Sequence, residues 1–443
     1  MTIRKKTDEP LTRREREIMN AVFALGNRAS AEEIRARLTD PPGDSAVRVM
    51  LARLEKKGCL KHQQDGLRYI YSATISPAVA KRTALQQYLQ TFFGGSRQEM
   101  LTALFEEMPD IPAGDITILI ATGTHRTNTP VELEKMLGAD IARRYRVVNH
   151  DSRDRASLAY VGRTGTDVPV YLNRAWIDAD IKITTGFVEP HFFAGFSGGP
   201  KMVAPGLAGL ETVLVLHDAR RIGHPDATWG VTDGNPIHDD VREIARLVGV
   251  DFAVDVTLNR EQKITAVFAG DLLSEHRAAC EAARRDAMRA VESPFDVVLT
   301  TNSGFPLDQN LYQAVKGMSA AAKVVKPGGT IVCAAECRDG LPSHGSYGQV
   351  LASQPSPEKL LAMINSPGYS TPDQWQVQIQ AQVQMKATVM VKAGGLTADA
   401  VRAAHFQPVE DVTAAVRDAM RTAGPDATLC VLPQGPQTIP YLT

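Results

Sequence analysis

The sequence has little of several features that would narrow its class at once. Its 443 residues include only five cysteines, Cys59, Cys280, Cys333, Cys337 and Cys430, and no two of them form a CxxC pair. This pattern predicts reduced thiols in a cytoplasmic protein, not a disulfide framework or a cysteine zinc site. No run approaches the roughly 18 apolar residues that span a bilayer, so we expect no membrane helix. The basic N-terminal stretch has no apolar segment behind it, so we expect no secretory signal.

Net charge is also nearly absent, at −1 for the whole chain, but this hides two regions of opposite sign. Residues 1–100 contain 18 Lys and Arg against 11 Asp and Glu, which gives +7. Residues 101–443 contain 31 against 39, which gives −8. A basic module joined to an acidic one predicts different partners for the two parts, with nucleic acid the first candidate for the basic part.

Residues 1–76 are predicted to form a winged helix-turn-helix domain. Capping boxes that begin at Thr12 and Ser30 mark the first two helices, and a third helix follows. Two short strand-like runs then flank Asp65-Gly66, a dipeptide typical of a tight hairpin turn, which predicts the wing.

Basic side chains are concentrated where such a domain contacts DNA. The residues that we predict to bind DNA are Ser45, Arg48 and Arg53 of the third helix and Arg68 of the wing. Arginine neutralises phosphates and reads guanine edges, and a recognition helix presents its N-terminal residues to the major groove. The alternative is a protein-binding winged helix whose charges are only solvated.

Residues 10–107 resemble the penicillinase-repressor family of winged-helix regulators. The segments that carry the resemblance are the wing ending in YIYS and the later TFFGGS. The resemblance implies a homodimeric repressor of a palindromic double-stranded DNA operator. It also implies that residues 77–109 form a helical dimerisation tail and hinge.

Beyond the hinge, apolar strand-like runs alternate with helical patterns. The predicted strands are 116–122, 181–187, 252–258, 296–301, 330–335, 387–393 and 427–432. The predicted helices are 131–144, 236–248, 274–291, 311–325, 397–405 and 410–422. This alternation predicts an α/β main body with mainly parallel sheets, divided into lobes at 110–270 and 271–443.

Side chains suited to acid–base chemistry follow the ends of predicted strands. ATGTHR places His125 after the first strand, and GFVEPHFFAGFSGGPK places His191 and Lys201 after the second. Histidine titrates near neutrality, so two histidines in Gly-rich turns suit proton transfer on opposite sides of a substrate. Lys201 follows a Gly- and Phe-rich turn, which indicates a positioned amine. The segment is not a phosphate loop, because Pro200 precedes the lysine and Met202 follows it.

Other candidate residues lie farther along the chain. His217 lies in the apolar run VLVLHDARR, where it is either functional or a buried histidine with satisfied hydrogen bonds. Tyr312 and Lys316 are four residues apart in a predicted helix, so they share a face. Trp375 lies in a polar, Gln-rich stretch.

From about residue 110 onward the chain resembles the nickel-dependent lactate racemase family. The carrying segments are ATGTHR, GFVEPHFFAGFSGGPK, His217, PLDQNLYQAVKG, GGTIVCAAECRDG and the DQW at 373–375. The resemblance implies a pyridinium dithio-mononucleotide tethered covalently to Lys201 that holds nickel as a pincer complex. It further implies that His217 is the protein ligand to nickel and that His125 and His191 are the acid/base pair. The residues that it places near substrate or cofactor phosphate are Tyr312, Gln313, Lys316 and Trp375.

This resemblance implies racemisation of a small 2-hydroxy acid by hydride transfer. Family members carry an Asp-x-Thr-Arg segment ahead of ATGTHR, whereas Leu89–Phe92 here contains no Asp or Arg. We therefore expect a racemase body truncated at its start and weakened in activity. Two alternatives remain: a repressor whose body is inactive or only binds a ligand, and a pyridoxal-phosphate racemase with Lys201 as the Schiff base. The last leaves His217 and the two turn histidines without roles.

Overall fold

The structure, a computed structural model, describes residues 12–38, 40–66, 68–74, 111–342 and 345–443. The chain forms two compact units, residues 1–94 and 95–443. The predicted dimerisation tail at 77–109 lies outside the described residues and stays a prediction. Within the described ranges, no helix is long and apolar enough to cross a membrane.

The first unit is the winged helix-turn-helix that the sequence predicts. Its elements are α1 (Arg13–Ala24), α2 (Ala31–Ala36), α3 (Asp44–Lys56), β1 (Ala29–Ser30), β2 (Leu60–Asp65) and β3 (Arg68–Ala73). Both capping boxes are present, because the hydroxyls of Thr12 and Ser30 accept hydrogen bonds from the N–H groups three residues later. Strand β3 pairs antiparallel with β1 and β2, which makes the β2–β3 hairpin the wing.

The second unit is an α/β body built on several sheets. Its strands are β4 (Thr117–Ile120), β5 (Arg146–Asn149), β6 (Leu158–Arg163), β7 (Pro169–Asn173), β8 (Ile183–Phe187), β9 (Pro190–His191), β10 (Gly195–Phe196), β11 (Phe252–Leu258), β12 (Ile264–Gly270), β13 (Met288–Val291), β14 (Phe295–Thr301), β15 (Val325–Ala334), β16 (Thr388–Lys392), β17 (Gln407–Pro408), β18 (Leu429–Leu432) and β19 (Ile439–Leu442). Its helices are α4 (Pro130–Leu137), α5 (Ala139–Arg144), α6 (Arg174–Ile177), α7 (Leu210–Leu216), α8 (Ala219–Ile222), α9 (Pro236–Val248), α10 (Leu272–Ala287), α11 (Leu311–Ala322), α12 (Tyr347–Ala352), α13 (Pro357–Ile364), α14 (Gln374–Lys386), α15 (Ala398–Ala403) and α16 (Val412–Ala423).

Parallel pairing dominates the larger sheets, which confirms the predicted fold class. Five strands pair in the order β17-β16-β15-β14-β18, and every pair in that sheet is parallel. A second sheet has the order β12-β11-β8, in which β8 and β11 are parallel and the β11–β12 pair is antiparallel. The predicted lobe boundary at residue 270 falls between the end of β12 and the start of α10.

Two predicted helices differ from the structure. The helix predicted at 131–144 is two helices, because the chain turns at Gly138 with φ of +85°, a left-handed conformation that favours glycine. The helix predicted at 274–291 ends at Ala287, and the next four residues form β13, which pairs in parallel with β19. Met288 and its neighbours are therefore drawn into strand by a partner that lies far away in the sequence.

Helix α14 was not predicted, because its apolar residues follow no helical period. Four glutamines at alternate positions, Gln374, Gln376, Gln378 and Gln380, are buried in it. The backbone of neighbouring elements satisfies part of their amides: the Gln378 side chain donates to the Ala219 carbonyl, and the Gln380 side chain donates to the Ala404 carbonyl, each at 2.8 Å. The Gln374 Nε2 and the Oε1 atoms of Gln376 and Gln378 have no hydrogen-bond partner among the described residues. The first two turns of this polar helix are thus buried, whereas Gln382 and Met385 nearer its end are exposed.

Candidate active site

The hairpin of β9 and β10 presents His191 to the candidate site. The backbone N–H groups of Phe193 and Ala194 donate to Nδ1 of His191 at 3.5 and 3.2 Å. This arrangement favours the tautomer whose hydrogen is on Nε2, although the hydrogen itself is inferred from the bonding pattern. Burial and the positive charge of Lys201 hold the pKa of His191 well below its usual value, so the ring is neutral near pH 7.

Phe193 lies at the centre of the site. Its ring centroid is 4.5 Å from that of His191 and 5.1 Å from that of His217, and the Lys201 Nζ lies 5.9 Å from it. The adjacent Phe192 ring lies 5.9 Å from the Nζ of Lys316. Sequence reasoning missed both phenylalanines as site residues, although the FF pair directly after His191 was a visible signal.

His217 is the C-cap residue that directly follows α7. Its Nδ1 donates to the carbonyl of Val213 at 2.8 Å, whereas its Nε2 has no hydrogen-bond partner among the residues that the structure describes. Burial lowers its pKa to about 4, which keeps Nε2 unprotonated near neutrality. A backbone-anchored imidazole with one open nitrogen is the usual state of a metal-binding histidine. The alternative, a buried histidine with all its hydrogen bonds satisfied, agrees with Nδ1 but not with Nε2.

Lys201 lies in a 3₁₀ turn, Gly199–Met202, behind two glycines with positive φ. A Cβ on Gly199 would collide with the ring of His276, so the turn requires glycine there. The N–H of Gly199 donates to the buried carboxylate of Asp255 at 2.6 Å. Burial and the nearby Lys316 charge lower the pKa of Lys201 to about 7, which leaves a large fraction of neutral, nucleophilic amine.

Helices α11 and α14 contribute Tyr312, Lys316 and Trp375. The Trp375 Nε1 donates to the Tyr312 Oη at 3.1 Å, and the Trp375 ring lies 4.9 Å from the His217 ring. Burial lowers the pKa of Lys316. The structure therefore brings these three residues to the same site as His191, Lys201 and His217.

His125 and Gln313 are less fully integrated. His125 follows β4 and is exposed, yet it lies near enough to His217 for its charge to lower the pKa of His217. Gln313 is the residue after Tyr312 on α11, and its backbone N–H donates to the side-chain oxygen of the N-cap residue Asn310 at 3.0 Å. Among the described residues, no hydrogen bond ties the Gln313 side chain to this cluster.

Glu189 is a site carboxyl that sequence reasoning missed. It lines a small cavity of about 40 Å³ together with His191, Phe192, Trp229 and Lys316. Burial raises the pKa of Glu189, and the positive charges of Lys316 and Lys201 oppose that rise. The site therefore contains two buried amines with one carboxyl near both.

The donor set suits a metal held jointly with an organic group. In the described part of the chain, no three His, Cys, Asp or Glu side chains are grouped to hold a metal. His217 presents one imidazole nitrogen, a donor that nickel accepts, and Lys201 presents an amine able to form a covalent bond. These two residues fit a tethered cofactor that brings further metal donors.

The predicted DNA-binding residues lie on the first unit. Ser45, Arg48 and Arg53 are exposed on α3, on the side opposite its buried apolar residues, and Arg68 is exposed on the wing. The Arg48 Nε is 3.1 Å from a carboxylate oxygen of Asp44, one helical turn earlier. Because both side chains are exposed, this ion pair contributes little and leaves the guanidinium available.

Three family models match the chain. The model described as "Penicillinase repressor" matches residues 11–122, "Lactate racemase N-terminal domain" matches 93–230, and "Lactate racemase C-terminal domain" matches 290–439. The racemase match thus begins at residue 93, and it overlaps the end of the repressor match.

Two curated relatives are lactate racemases. The one from Thermoanaerobacterium thermosaccharolyticum is 35% identical over 329 residues, which cover 74% of this chain and 77% of the relative. The one from Lactiplantibacillus plantarum is 36% identical over 326 residues, which cover 73% and 76%. The solved lactate racemase apoprotein from T. thermosaccharolyticum superposes with a TM-score of 0.74 at 33% identity, covering 77% of this chain and 82% of that one.

Proposed function

Because the chain belongs to the lactate racemase family and carries a penicillinase-repressor domain at its N-terminus, we propose that it racemises a small 2-hydroxy acid and binds double-stranded DNA through separate parts. One observation carries the enzymatic half. His217, with an open Nε2, and Lys201, with a pKa of about 7, lie against the same Phe193 ring. This pair suits a metal-bearing cofactor attached to the chain.

We assign the family's nickel-bearing pyridinium dithio-mononucleotide to that pair. Lys201 would hold it covalently through Nζ, and His217 would bind the metal through Nε2. When bound, the cofactor supplies a hydride acceptor, which removes the need to abstract a weakly acidic α-hydrogen as a proton.

The chain's own residues bind the acid and move its hydroxyl proton. Lys316 offers a buried ammonium group to the substrate carboxylate, since a charge-assisted hydrogen bond is strong when water is excluded. His125 and His191 would each take the hydroxyl proton of one enantiomer, and the other histidine would then give a proton to the same oxygen as the opposite enantiomer forms. Phe192 and Phe193 keep the site apolar around them. Tyr312, Gln313 and Trp375 would contact the substrate or the cofactor phosphate.

Removal of the tether and of the metal ligand tests this assignment. After co-expression with cofactor-synthesis proteins, intact mass and nickel content are measured for the parent chain and its variants. Lys201→Ala should abolish the covalent mass increment, whereas His217→Ala should lose nickel but keep the increment. His125→Ala and His191→Ala should keep both and lose racemisation.

The outcomes separate the enzyme from its alternatives. Absence of both nickel and mass increment in the parent chain would rule out the cofactor assignment and leave the repressor. A borohydride-reducible adduct on Lys201 without nickel would instead support a pyridoxal-phosphate enzyme.

The N-terminal domain supports the second half of the proposal. The exposed arginines of α3 and the wing, with the +7 charge of residues 1–100, fit a duplex DNA partner. We propose that the domain binds a palindromic operator as a homodimer. The test is whether the full chain binds operator fragments and whether replacing Arg48 weakens that binding.

A further inference from the structure

A second cavity, of about 390 Å³, lies between α9 and α10 and shares no lining residue with the cavity beside His191. Four arginines line it, against two acidic side chains. The charged lining residues are Arg242, Arg246, Arg277, Arg284, Asp233 and Glu281. The cavity therefore carries an excess of positive charge.

Two of the arginines are already engaged, and two are not. Arg242 donates to Asp233 at 2.8 Å and also pairs with Asp239, and it lowers the pKa of Asp233. Arg284 donates to the Gly230 carbonyl and lies over the Phe196 ring at 5.5 Å. Arg246 and Arg277 form no hydrogen bond or ion pair with any residue that the structure describes, although the charge of Arg277 also helps to lower the pKa of Asp233.

Two neutral histidines form the floor of the cavity. His238 and His276 stack with their ring centroids 5.5 Å apart, and burial lowers their pKa values to about 3 and about 4. His238 Nδ1 donates to the Ala194 carbonyl and His276 Nε2 donates to the Ser197 carbonyl, each at 2.9 Å. Since the floor is uncharged, the positive field of the cavity comes from the arginines at its rim.

We propose that this cavity binds a small organic anion with at least two negative charges, a phosphate ester or a polycarboxylate, through Arg246 and Arg277. Guanidinium groups bind both kinds of oxyanion in a bidentate manner. The volume lies within the roughly 300–1,000 Å³ of small-molecule sites. This proposal stands whether or not the racemase site is active, because it uses none of that site's residues.

Occupancy of the cavity would also act on the neighbouring hairpin. Both floor imidazoles are hydrogen-bonded to the segment between His191 and Lys201. A ligand that restrains His238 and His276 therefore restrains the turn that carries both site residues.

Thermal unfolding and calorimetry of the full chain test the proposal. The probes are 3-phosphoglycerate, citrate and inorganic phosphate, with sodium chloride at matched ionic strength as the reference. We expect a higher Tm with 3-phosphoglycerate or citrate than with chloride, and comparing the two identifies the preferred chemistry. Arg246→Gln and Arg277→Gln should each weaken binding by roughly 10- to 100-fold, which is the contribution of a charged hydrogen bond.

Matched variants distinguish this site from binding elsewhere. Arg285 is an exposed arginine of α10, the helix that also carries Arg277, but it does not line the cavity. The Arg285→Gln variant should therefore bind the anion like the parent chain. Arg277→Lys keeps the positive charge and should keep part of the affinity. This partial rescue would show that Arg277→Gln loses binding through the lost charge and not through misfolding. An equal Tm response to all probes and chloride, or a response that persists when both arginines are replaced, would overturn the proposal. The second result would place the anions on other basic surfaces such as the N-terminal unit.

Discussion

The amine of Lys201 differs from an ordinary lysine amine, which stays charged until about pH 10.4. Because its pKa is about 7, it is mostly protonated at pH 6 and mostly neutral at pH 8. Competitive labelling of the cofactor-free chain, read by peptide mass spectrometry, should show Lys201 reactivity rising to its half-maximum near pH 7. Lys316→Met removes a like charge, so it should move that midpoint to higher pH. A Lys201 midpoint above pH 9 in the parent chain would contradict the assigned environment.

For individual residues, the sequence identified the titratable groups of the candidate site but not the side chains that surround them. His191, Lys201 and His217 were visible because histidine and lysine are informative in Gly-rich turns and apolar runs. Phe193 and Glu189 were not, since an aromatic ring between imidazoles and a carboxyl near two amines are properties of the folded chain. The catalytic and ligand roles of the predicted residues stay predictions.

The 3₁₀ turn that carries Lys201 is hydrogen-bonded to Asp255 of β11, and Asp255 forms a pair of buried carboxyls with Glu275 of α10. Burial raises the pKa of Asp255 to about 6, and burial together with the Asp255 charge raises that of Glu275 to about 10. Among the described residues, the Glu275 carboxyl has no hydrogen-bond partner other than the Asp255 carboxyl, with which it can share a proton. The folded chain therefore binds more protons than the unfolded chain above about pH 4, and this pair makes stability fall as pH rises.

Neutralising Glu275 should remove that pH dependence. Glu275→Gln should raise the free energy of unfolding by about 1–3 kcal/mol at pH 8, because glutamine folds without the proton uptake that the raised pKa of Glu275 requires. The gain should be smaller at pH 5, because the glutamate of the unfolded chain is then close to its own pKa and protonating it on folding costs less. Denaturant unfolding at both pH values measures this, with Glu358→Gln, an exposed position on α13, as the control. If Glu275→Gln instead lowers stability at pH 8, Glu275 is ionised and paired with a positive group in the folded chain.

Periodic elements were predictable and the others were not. The strand predicted at 252–258 and the helix predicted at 236–248 match β11 and α9 residue for residue. Helix α14 follows no apolar period, and two of its buried glutamines, Gln378 and Gln380, instead donate to backbone carbonyls of elements distant in sequence. Strand β13 forms because β19 pairs with it. Both depend on tertiary partners that a local pattern does not contain.

For the whole molecule, DNA binding should depend on a few arginines of the first unit. Arg48→Ala in the full chain should weaken operator binding by roughly 10-fold or more, because each good base contact is worth about 1–3 kcal/mol. Affinity should also fall steeply with salt, since Lys and Arg displace counterions from phosphates. Electrophoretic shift with promoter fragments of the chain's own gene measures both.

The control for DNA binding is Arg417→Ala, which changes an exposed arginine of α16 in the second unit. It should leave operator affinity unchanged. Equal losses for the two variants would indicate non-specific attraction, and no binding at low salt would exclude the repressor function.

Racemase activity of the whole chain should be weak even when the cofactor is loaded. The resemblance implies an Asp-x-Thr-Arg segment ahead of ATGTHR, whereas Leu89–Phe92 contains no Asp or Arg, and each lost charge-assisted hydrogen bond costs about 1.5–3 kcal/mol. We therefore expect kcat/KM for lactate to be roughly 10- to 1,000-fold below that of a complete family member per equivalent of nickel. Polarimetric assay of both proteins side by side measures this. Equal activity would mean that another cation takes the place of the missing arginine.

The contact between Trp375 and His217 gives the protein a built-in optical reporter. Trp375 is one of only three tryptophans, and its indole lies 4.9 Å from the imidazole that we assign to nickel. A transition-metal ion bound at that imidazole would quench the fluorescence of this indole far more than that of Trp176 or Trp229. Emission intensity during metal addition would then follow occupancy in real time, and Trp375→Phe would remove that signal.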